Sequence, residues 1–173
     1  MMYGVLIIAA IIACWLVLQN KPGARDATQS YLQEDTPALS AEQIHLITES
    51  WACVVPIKEQ AAEMFYARLF ELDPNVKPLF KGKLDYQGDK LMTTLNVIVN
   101  SLDNLTEVEG MLQAMGKRHI IYKVEAAHYE TVGAALIWVL EQGLGDSFTA
   151  EVREAWVIAY GLIAETMKQA AYH

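Results

Sequence analysis

The chain has 173 residues, 53% of them apolar, and a net charge of −8, which suits one domain of ordinary size. The acidic balance excludes nucleic acid as the expected partner, because phosphate binding requires a basic surface. The two cysteines, Cys14 and Cys53, are not expected to pair, since one lies in an apolar segment and the other in a predicted helix.

The first element is an uncharged apolar segment, residues 1–18, with the sequence MMYGVLIIAAIIACWLVL. As a helix it would be about 27 Å long, close to the roughly 30 Å hydrocarbon core of a bilayer. It has no basic start and no clear cleavage site, which favours a retained anchor over a secretory signal peptide. Lys21 and Arg25 follow it, so the positive-inside rule predicts a single-pass protein of the inner (cytoplasmic) membrane with a cytoplasmic body. We expect a transmembrane anchor over residues 1–20 and a polar linker over residues 21–38.

From residue 39 onward the apolar residues recur with helical periodicity. Ser40 and Gln43 match a capping box, as do Thr106 and Glu109. Glycines near residues 143–145 predict a helix end. These patterns predict an all-α domain over residues 39–173, with helices that begin near residues 40, 56, 74, 85, 106, 124 and 149.

One of the four histidines is a candidate metal ligand. His119 stands in the sequence GKRHIIY, at the end of a predicted helix and before a strongly apolar one. A neutral imidazole in such a position can bind a metal, although a lone histidine of this kind is more often structural. Spacing alone leaves both interpretations open.

Four stretches of the chain resemble the globin family, and more closely bacterial single-domain haemoglobins and the globin part of flavohaemoglobins. ARLFELDPNVKPLF resembles the second and third helices and a haem-contacting phenylalanine, here Phe80, and KLMTTL resembles the distal helix. KRHIIYKVEAAHYETVGAALIWVLEQGLG resembles the proximal ligand and the next helix, and EAWVIAYGLIAETM the last one. The resemblance implies a globin fold of three helices packed on three. It also implies a haem b cofactor with His119 as the protein ligand of the iron.

On the distal side, the resemblance implies that Tyr66 and Gln87 face the gas ligand and that Leu91 lies one turn after Gln87. A phenol and an amide can both donate hydrogen bonds to bound O₂, which carries partial negative charge. Without a haem, Tyr66 would be a core aromatic residue and Gln87 a solvent-facing one. The position of Gln87 is often held by histidine in globins.

The resemblance also implies roles for several flanking residues. Tyr129 matches a tyrosine beside the proximal histidine, or is simply a half-buried helix residue. Lys90 is expected to reach a haem propionate, or to be an exposed lysine, and Val124 and Val132 are expected in the pocket walls. In flavohaemoglobins a glutamate completes the proximal network, and its counterpart here is Ala171. The absence of this glutamate argues against activation of the iron-bound ligand for peroxidase-like or dioxygenase chemistry.

The implied function is reversible binding of O₂, with NO and CO as further ligands. Membrane tethering would place the bound gas near a respiratory complex such as a terminal oxidase. One alternative is a nitric oxide dioxygenase that uses a separate reductase. Another is an accessory subunit of a membrane oxidase complex. Whether the protein is an enzyme therefore stays open, with oxygen binding favoured.

Overall fold

The computed structural model describes residues 39–173, which form six α-helices joined by short turns. The helices are α1 (Ala41–Val54), α2 (Lys58–Leu72), α3 (Leu84–Val99), α4 (Thr106–Ile121), α5 (Ala126–Leu144) and α6 (Ala150–Tyr172). Turns of 3₁₀-helix cover Val55–Ile57, Pro74–Leu79, Leu102–Asn104 and Gly145–Ser147. The prediction of an all-α domain is confirmed.

The expected anchor over residues 1–20 and the linker over residues 21–38 lie outside the described residues. Within residues 39–173, no helix combines the length and the apolar character needed to cross a bilayer. Cys53, near the end of α1, is not a free thiol. The expectation of an unpaired cysteine is therefore wrong at Cys53, and Cys14 lies outside the described part of the chain.

The helix starts show how local hydrogen bonds fix the elements. The capping box of α1 is confirmed, because Ser40 Oγ accepts from the Gln43 amide at 3.1 Å and Gln43 Oε1 accepts from the Ser40 amide at 2.9 Å. The second predicted capping box is wrong. The cap of α4 is Leu105, which has no side-chain acceptor, and the Thr106 hydroxyl bonds to the Asn104 side chain instead.

Helix α2 packs against α3 and α5, whereas α4 packs chiefly against α6. Two glycines allow close approach at these crossings. A Cβ atom added to Gly88 on α3 would lie 2.9 Å from the Cβ of Ala62 on α2. A Cβ added to Gly116 on α4 would lie 2.2 Å from the backbone oxygen of Met167 on α6. Consequently α3, which carries Gln87, and α4, which carries His119, are fixed by different partners.

A tryptophan pair forms part of the core. Trp51 is 4% exposed and Trp156 is 3% exposed, and their ring centroids lie 6.0 Å apart. Trp156 Nε1 donates to Ser50 Oγ at 2.9 Å, and Trp51 Nε1 donates to Asn96 Oδ1 at 3.0 Å. Since both indole N–H groups are hydrogen-bonded, the pair joins α1 to α3 and α6 without a buried unsatisfied donor.

Candidate functional site

His119 lies on the last turn of α4 and is half-buried. Its Nδ1 atom lies 2.8 Å from the backbone oxygen of Met115, one turn earlier in the same helix. A carbonyl oxygen only accepts hydrogen bonds, so Nδ1 carries the hydrogen and Nε2 keeps its lone pair. The helix backbone thus gives the imidazole one orientation and one available ligating atom.

The surroundings of His119 also favour its neutral form. Burial lowers the pKa of His119 below its usual value. The positive charge of Arg118 lowers this pKa as well, and the hydrogen bond with Met115 opposes the change. At neutral pH the side chain is therefore an unprotonated imidazole, which is the form that binds a metal ion.

Tyr129 on α5 lies directly beside His119. Their rings are stacked, with centroids 6.0 Å apart and planes inclined by 29°. The Tyr129 hydroxyl is buried and has no hydrogen-bond partner among the described residues. Burial and the neighbouring Tyr172 raise the pKa of Tyr129 to about 12. Tyr129 therefore supports the imidazole by ring contact and retains an unused donor.

The turn that joins α4 to α5 is tightly hydrogen-bonded. The Val124 amide donates to the His119 carbonyl oxygen at 2.9 Å, and the Lys123 amide donates to that of Ile120 at 2.8 Å. The Tyr172 hydroxyl, at the end of α6, donates to the Val124 carbonyl oxygen at 2.7 Å. Lys123 has a φ of 63°, a left-handed conformation that costs a non-glycine residue free energy. These contacts hold the chain that follows His119 against α6.

The sequence interpretation missed two partners of this region. The contact between His119 and the Met115 carbonyl could have been predicted, because a residue four positions before His119 in a helix lies on the same face. The bond from Tyr172 to Val124 spans 48 positions along the chain. Nothing in the sequence pattern connects these two residues.

The second part of the candidate site centres on Tyr66 of α2, which is 6% exposed. Phe80 packs edge-on against it with ring centroids 5.3 Å apart, and Phe70 lies 5.6 Å from Phe80. Burial raises the pKa of Tyr66 to about 12, so the phenol stays protonated. Its hydroxyl has no hydrogen-bond partner within residues 39–173. The structure thus surrounds an unused donor with an aromatic wall.

The predicted residues of α3 occupy three different environments. Gln87 is half-buried, and its Nε2 donates a long hydrogen bond of 3.4 Å to the Lys81 carbonyl oxygen. Leu91, one turn later, is also half-buried and packs against the core. Lys90 is exposed, with its ammonium group 4.3 Å from the centroid of the Tyr86 ring. Lys90 is therefore engaged by an aromatic ring at the surface.

The predicted site residues form two groups. One comprises His119 and Tyr129, with Val124 and Val132 half-buried nearby in the chain and packed against the core. The other comprises the contact pair of Tyr66 and Phe80, with Gln87, Lys90 and Leu91 on α3. Ala171 is half-buried near the end of α6. The roles of these residues toward a cofactor stay predictions.

The residues present fit a haem. They offer one neutral imidazole with an available Nε2, an aromatic and aliphatic wall, and, in Tyr129, a buried hydroxyl with no partner among residues 39–173. Within the described residues, no three His, Cys, Asp or Glu side chains are grouped as metal ligands. A single imidazole suits an iron whose remaining ligands would come from a porphyrin, rather than a metal ion held by the protein alone.

Comparison with known proteins agrees with this geometry. The family model "Globin" matches residues 63–167. The neuroglobins of Chaenocephalus aceratus and Danio rerio are each 28% identical to this chain, over 145 and 144 residues. The alignments cover 76% and 75% of this chain and 91% and 90% of the relatives.

Two solved structures have a similar fold. The first is an engineered carbene transferase built on a Rhodothermus marinus protein that is provisionally assigned as a nitric oxide dioxygenase. It has a TM-score of 0.70 and 25% identity, and the match covers 77% of this chain and 93% of that one. The second, a bacterial globin from Campylobacter jejuni, has a TM-score of 0.68 and 24% identity, covering 76% and 96%.

Proposed function

We propose, since this chain belongs to the globin family, that it carries haem b and binds O₂ reversibly. The observation that carries this proposal is the His119 imidazole, whose Nδ1 is bonded to the Met115 carbonyl oxygen while Nε2 stays available. Bound haem would supply the iron at which a diatomic gas binds. The half-buried side chains Val124, Val132 and Leu91 would exclude water from the pocket.

Tyr66 is the principal hydrogen-bond donor in this proposal. Tyr66 is a buried residue, and its phenol is protonated and has no hydrogen-bond partner within residues 39–173, so it can donate to a gas ligand without giving up a bond seen there. A donor that is already oriented in apolar surroundings stabilises negative charge more strongly than water does. Because O₂ develops more charge than CO when it binds, Tyr66 favours O₂ and slows its release. Gln87 is the weaker second donor.

We further propose that residues 1–20 anchor the protein in the inner membrane, that residues 21–38 form a tether, and that the globin domain lies in the cytoplasm. The uncharged segment over residues 1–18 and the basic residues Lys21 and Arg25 support this arrangement. Tethering would raise the effective concentration of the globin beside a membrane respiratory complex. A terminal oxidase is the proposed recipient of the oxygen.

Nitric oxide dioxygenase activity is the second candidate function. The likeness to the Rhodothermus marinus protein favours it, and the donors Tyr66 and Gln87 are compatible with it. Ala171, in place of the glutamate of flavohaemoglobins, argues against it. The enzyme would also require electrons from a separate reductase.

Spectroscopy of the purified full chain tests the proposal. We expect a Soret band and reversible O₂ and CO spectra in the ferrous protein, and loss of the band in His119→Ala. Absence of the band in the wild-type protein would refute haem binding. Stopped-flow mixing with NO in the presence of NADH and membranes separates the two functions. Sustained NO consumption driven by NADH would show that the protein is a nitric oxide dioxygenase and not an oxygen carrier.

The anchor has a separate test. We expect the protein to stay with the membrane fraction after a high-pH carbonate wash. Release of the protein by this wash would contradict the anchor, without affecting the proposal of haem binding.

A further inference from the structure

The end of α4 carries a surface that combines exposed apolar and cationic side chains. Ile121 is 75% exposed and Tyr122 is 58% exposed. Lys117, Arg118 and Lys123, which flank them, are also exposed. We name these five residues the α4-end surface. Two adjacent large apolar side chains that each expose more than half of their surface to water commonly indicate an interaction site.

Two residues of the α4-end surface, Lys117 and Ile121, face away from the candidate haem ligand, whereas Tyr122, three positions after His119, lies on its side of the helix. Successive residues of a helix are separated by about 100°, so Lys117 and Ile121, each two positions from His119, lie on the opposite side of α4. They are four positions apart and therefore neighbours on one face. The His119 ring, by contrast, contacts Tyr129 in the interior. The exposure of Ile121 is therefore separate from the haem site.

The cations of this surface have no partner within the described residues. Arg68, Arg153 and Lys168 each form an ion pair with a glutamate at 2.8 to 3.1 Å. No such pair involves Lys117, Arg118 or Lys123 in residues 39–173. The nearest acidic residue in the sequence after the surface is Glu125, whose carboxylate already accepts from the His128 amide at the start of α5. The surface is thus a local cluster of unpaired positive charge on a chain of net charge −8.

We propose that the α4-end surface rests on the anionic cytoplasmic leaflet of the membrane. The inference depends on the proposed anchor, which would hold the domain within about twenty linker residues of the bilayer. Lys and Arg side chains next to an anionic leaflet each strengthen association by about fivefold, and tyrosine and isoleucine favour the interface. Acidic side chains farther than about 8 Å are largely screened at physiological ionic strength, whereas Glu125, two positions after Lys123, offsets part of the positive charge of this surface.

The consequence concerns the route of the gas. The helix turn that carries His119 would lie against the lipid, and apolar gases such as O₂ are more soluble in hydrocarbon than in water. The globin would then exchange gas with the bilayer, where a membrane oxidase also takes up its substrate.

Hydrogen–deuterium exchange of the full chain tests this docking. The protein is compared in detergent micelles, in phosphatidylcholine vesicles, and in phosphatidylcholine vesicles that contain phosphatidylglycerol. We expect exchange at residues 119–125 and trypsin cleavage after Lys123 to slow several-fold in the anionic vesicles alone. The combined substitution Lys117→Gln, Arg118→Gln and Lys123→Gln should abolish the protection from exchange, which is the readout for this variant because it lacks the cleavage site at residue 123. Ile121→Ser should weaken the protection in both measurements.

Matched controls come from the same chain. Val157→Ser changes an apolar residue of α6 that is 50% exposed, and Lys58→Gln changes an exposed cation on α2. Both should leave the protection intact. Loss of protection in these controls would overturn the assignment of the docking surface to α4.

The remaining outcomes separate the docking from the anchor. If the protein stays with the vesicles after a carbonate wash but shows equal exchange in all three environments, docking is refuted. The proposal of the anchor is then unaffected. A protein released by the wash, yet protected by anionic vesicles at low salt, refutes the anchor and supports docking. Protection that is seen only in native membranes, with their proteins present, would overturn the proposal that lipid covers the α4-end surface. The partner would then be an acidic protein.

Discussion

The two sides of the candidate site differ in how fully their polar groups are bonded. Around His119, the imidazole Nδ1 meets a carbonyl oxygen at 2.8 Å and the following turn is fixed through Val124 and Tyr172. Around Tyr66, the phenol has no hydrogen-bond partner within residues 39–173 and Gln87 makes one long bond of 3.4 Å. The imidazole that would hold a permanent ligand is preorganised, although Tyr129 beside it keeps an unused hydroxyl. On the side that would meet a transient gas, the Tyr66 donor is unused and the Gln87 donor is only weakly bonded.

One unused donor of the site has an energetic meaning. A buried hydroxyl without a partner costs about 1–3 kcal/mol of folding free energy. Tyr129 is such a case, because its hydroxyl is buried and has no hydrogen-bond partner among the described residues. Retaining a costly donor beside a candidate ligand is typical of functional sites, where local rules of stability are broken. The predictions below test this contrast.

The largest expected effect is that of His119→Ala on haem affinity. We expect affinity to fall by more than about 100-fold, because disturbing an outer partner of a metal ligand already costs 10- to 100-fold. Titration of the apoprotein with haemin, followed at the Soret band, measures the change. His45→Ala, at an exposed position of α1, is the control and should bind haem normally. Unchanged affinity in His119→Ala would place the iron ligand elsewhere.

The second prediction probes the fixed side through the close approach of α4 to α6. In Gly116→Ala the new Cβ would lie 2.2 Å from the Met167 backbone oxygen, so the helices must separate. We expect a loss of about 1–3 kcal/mol in the free energy of unfolding, measured by urea denaturation.

Gly110→Ala is the matched control for this substitution. It lies on the same helix with nothing within 4 Å of the added Cβ. Because alanine is the better helix former, Gly110→Ala should stabilise the protein by about 0.5–1 kcal/mol. Equal effects of the two substitutions would show that helix propensity, and not the contact with α6, decides the result.

The sequence predicted the all-α fold and the boundaries of most helices, because these depend on periodicity and on short-range signals such as the Ser40 cap. It also identified His119 and Tyr129, whose contact follows from the resemblance. It failed at one local competition and at one tertiary contact. The Thr106 hydroxyl bonds to the nearby Asn104 side chain instead of capping α4, and the bond from Tyr172 to Val124 joins distant segments. The hydrogen bond of Gln87 depends on the path of the loop at Lys81, which no local pattern specifies.

The third prediction concerns the unused donor at Tyr66. In Tyr66→Phe we expect O₂ release to accelerate about 10- to 100-fold, since a hydrogen bond to a partly charged ligand contributes roughly 1.5–3 kcal/mol. The stability of the apoprotein should stay equal or rise, because the lost hydroxyl has no partner. Flash photolysis and urea denaturation measure the two effects.

Tyr129→Phe is the control for Tyr66→Phe, since it removes a buried tyrosine hydroxyl that has no partner among the described residues and lies beside His119. It should leave O₂ release within about twofold, because its hydroxyl lies on the fixed side of the site. If Tyr129→Phe accelerates O₂ release as much as Tyr66→Phe does, the contrast between the two sides is wrong.

The smallest expected effect is that of Gln87→Leu. The Gln87 amide is directed to the Lys81 carbonyl oxygen at 3.4 Å, a bond too long to be strong, so the side chain can turn inward at little cost but is not preorganised. We expect O₂ release to accelerate by about two- to fivefold, equivalent to roughly 0.5–1 kcal/mol. If both donors contact the same gas atom, the double variant with Tyr66→Phe should show less than the sum of the single changes in free energy. If Gln87→Leu accelerates O₂ release more than Tyr66→Phe does, Gln87 is the principal donor. Its hydrogen bond to the Lys81 carbonyl oxygen must then break whenever the gas binds.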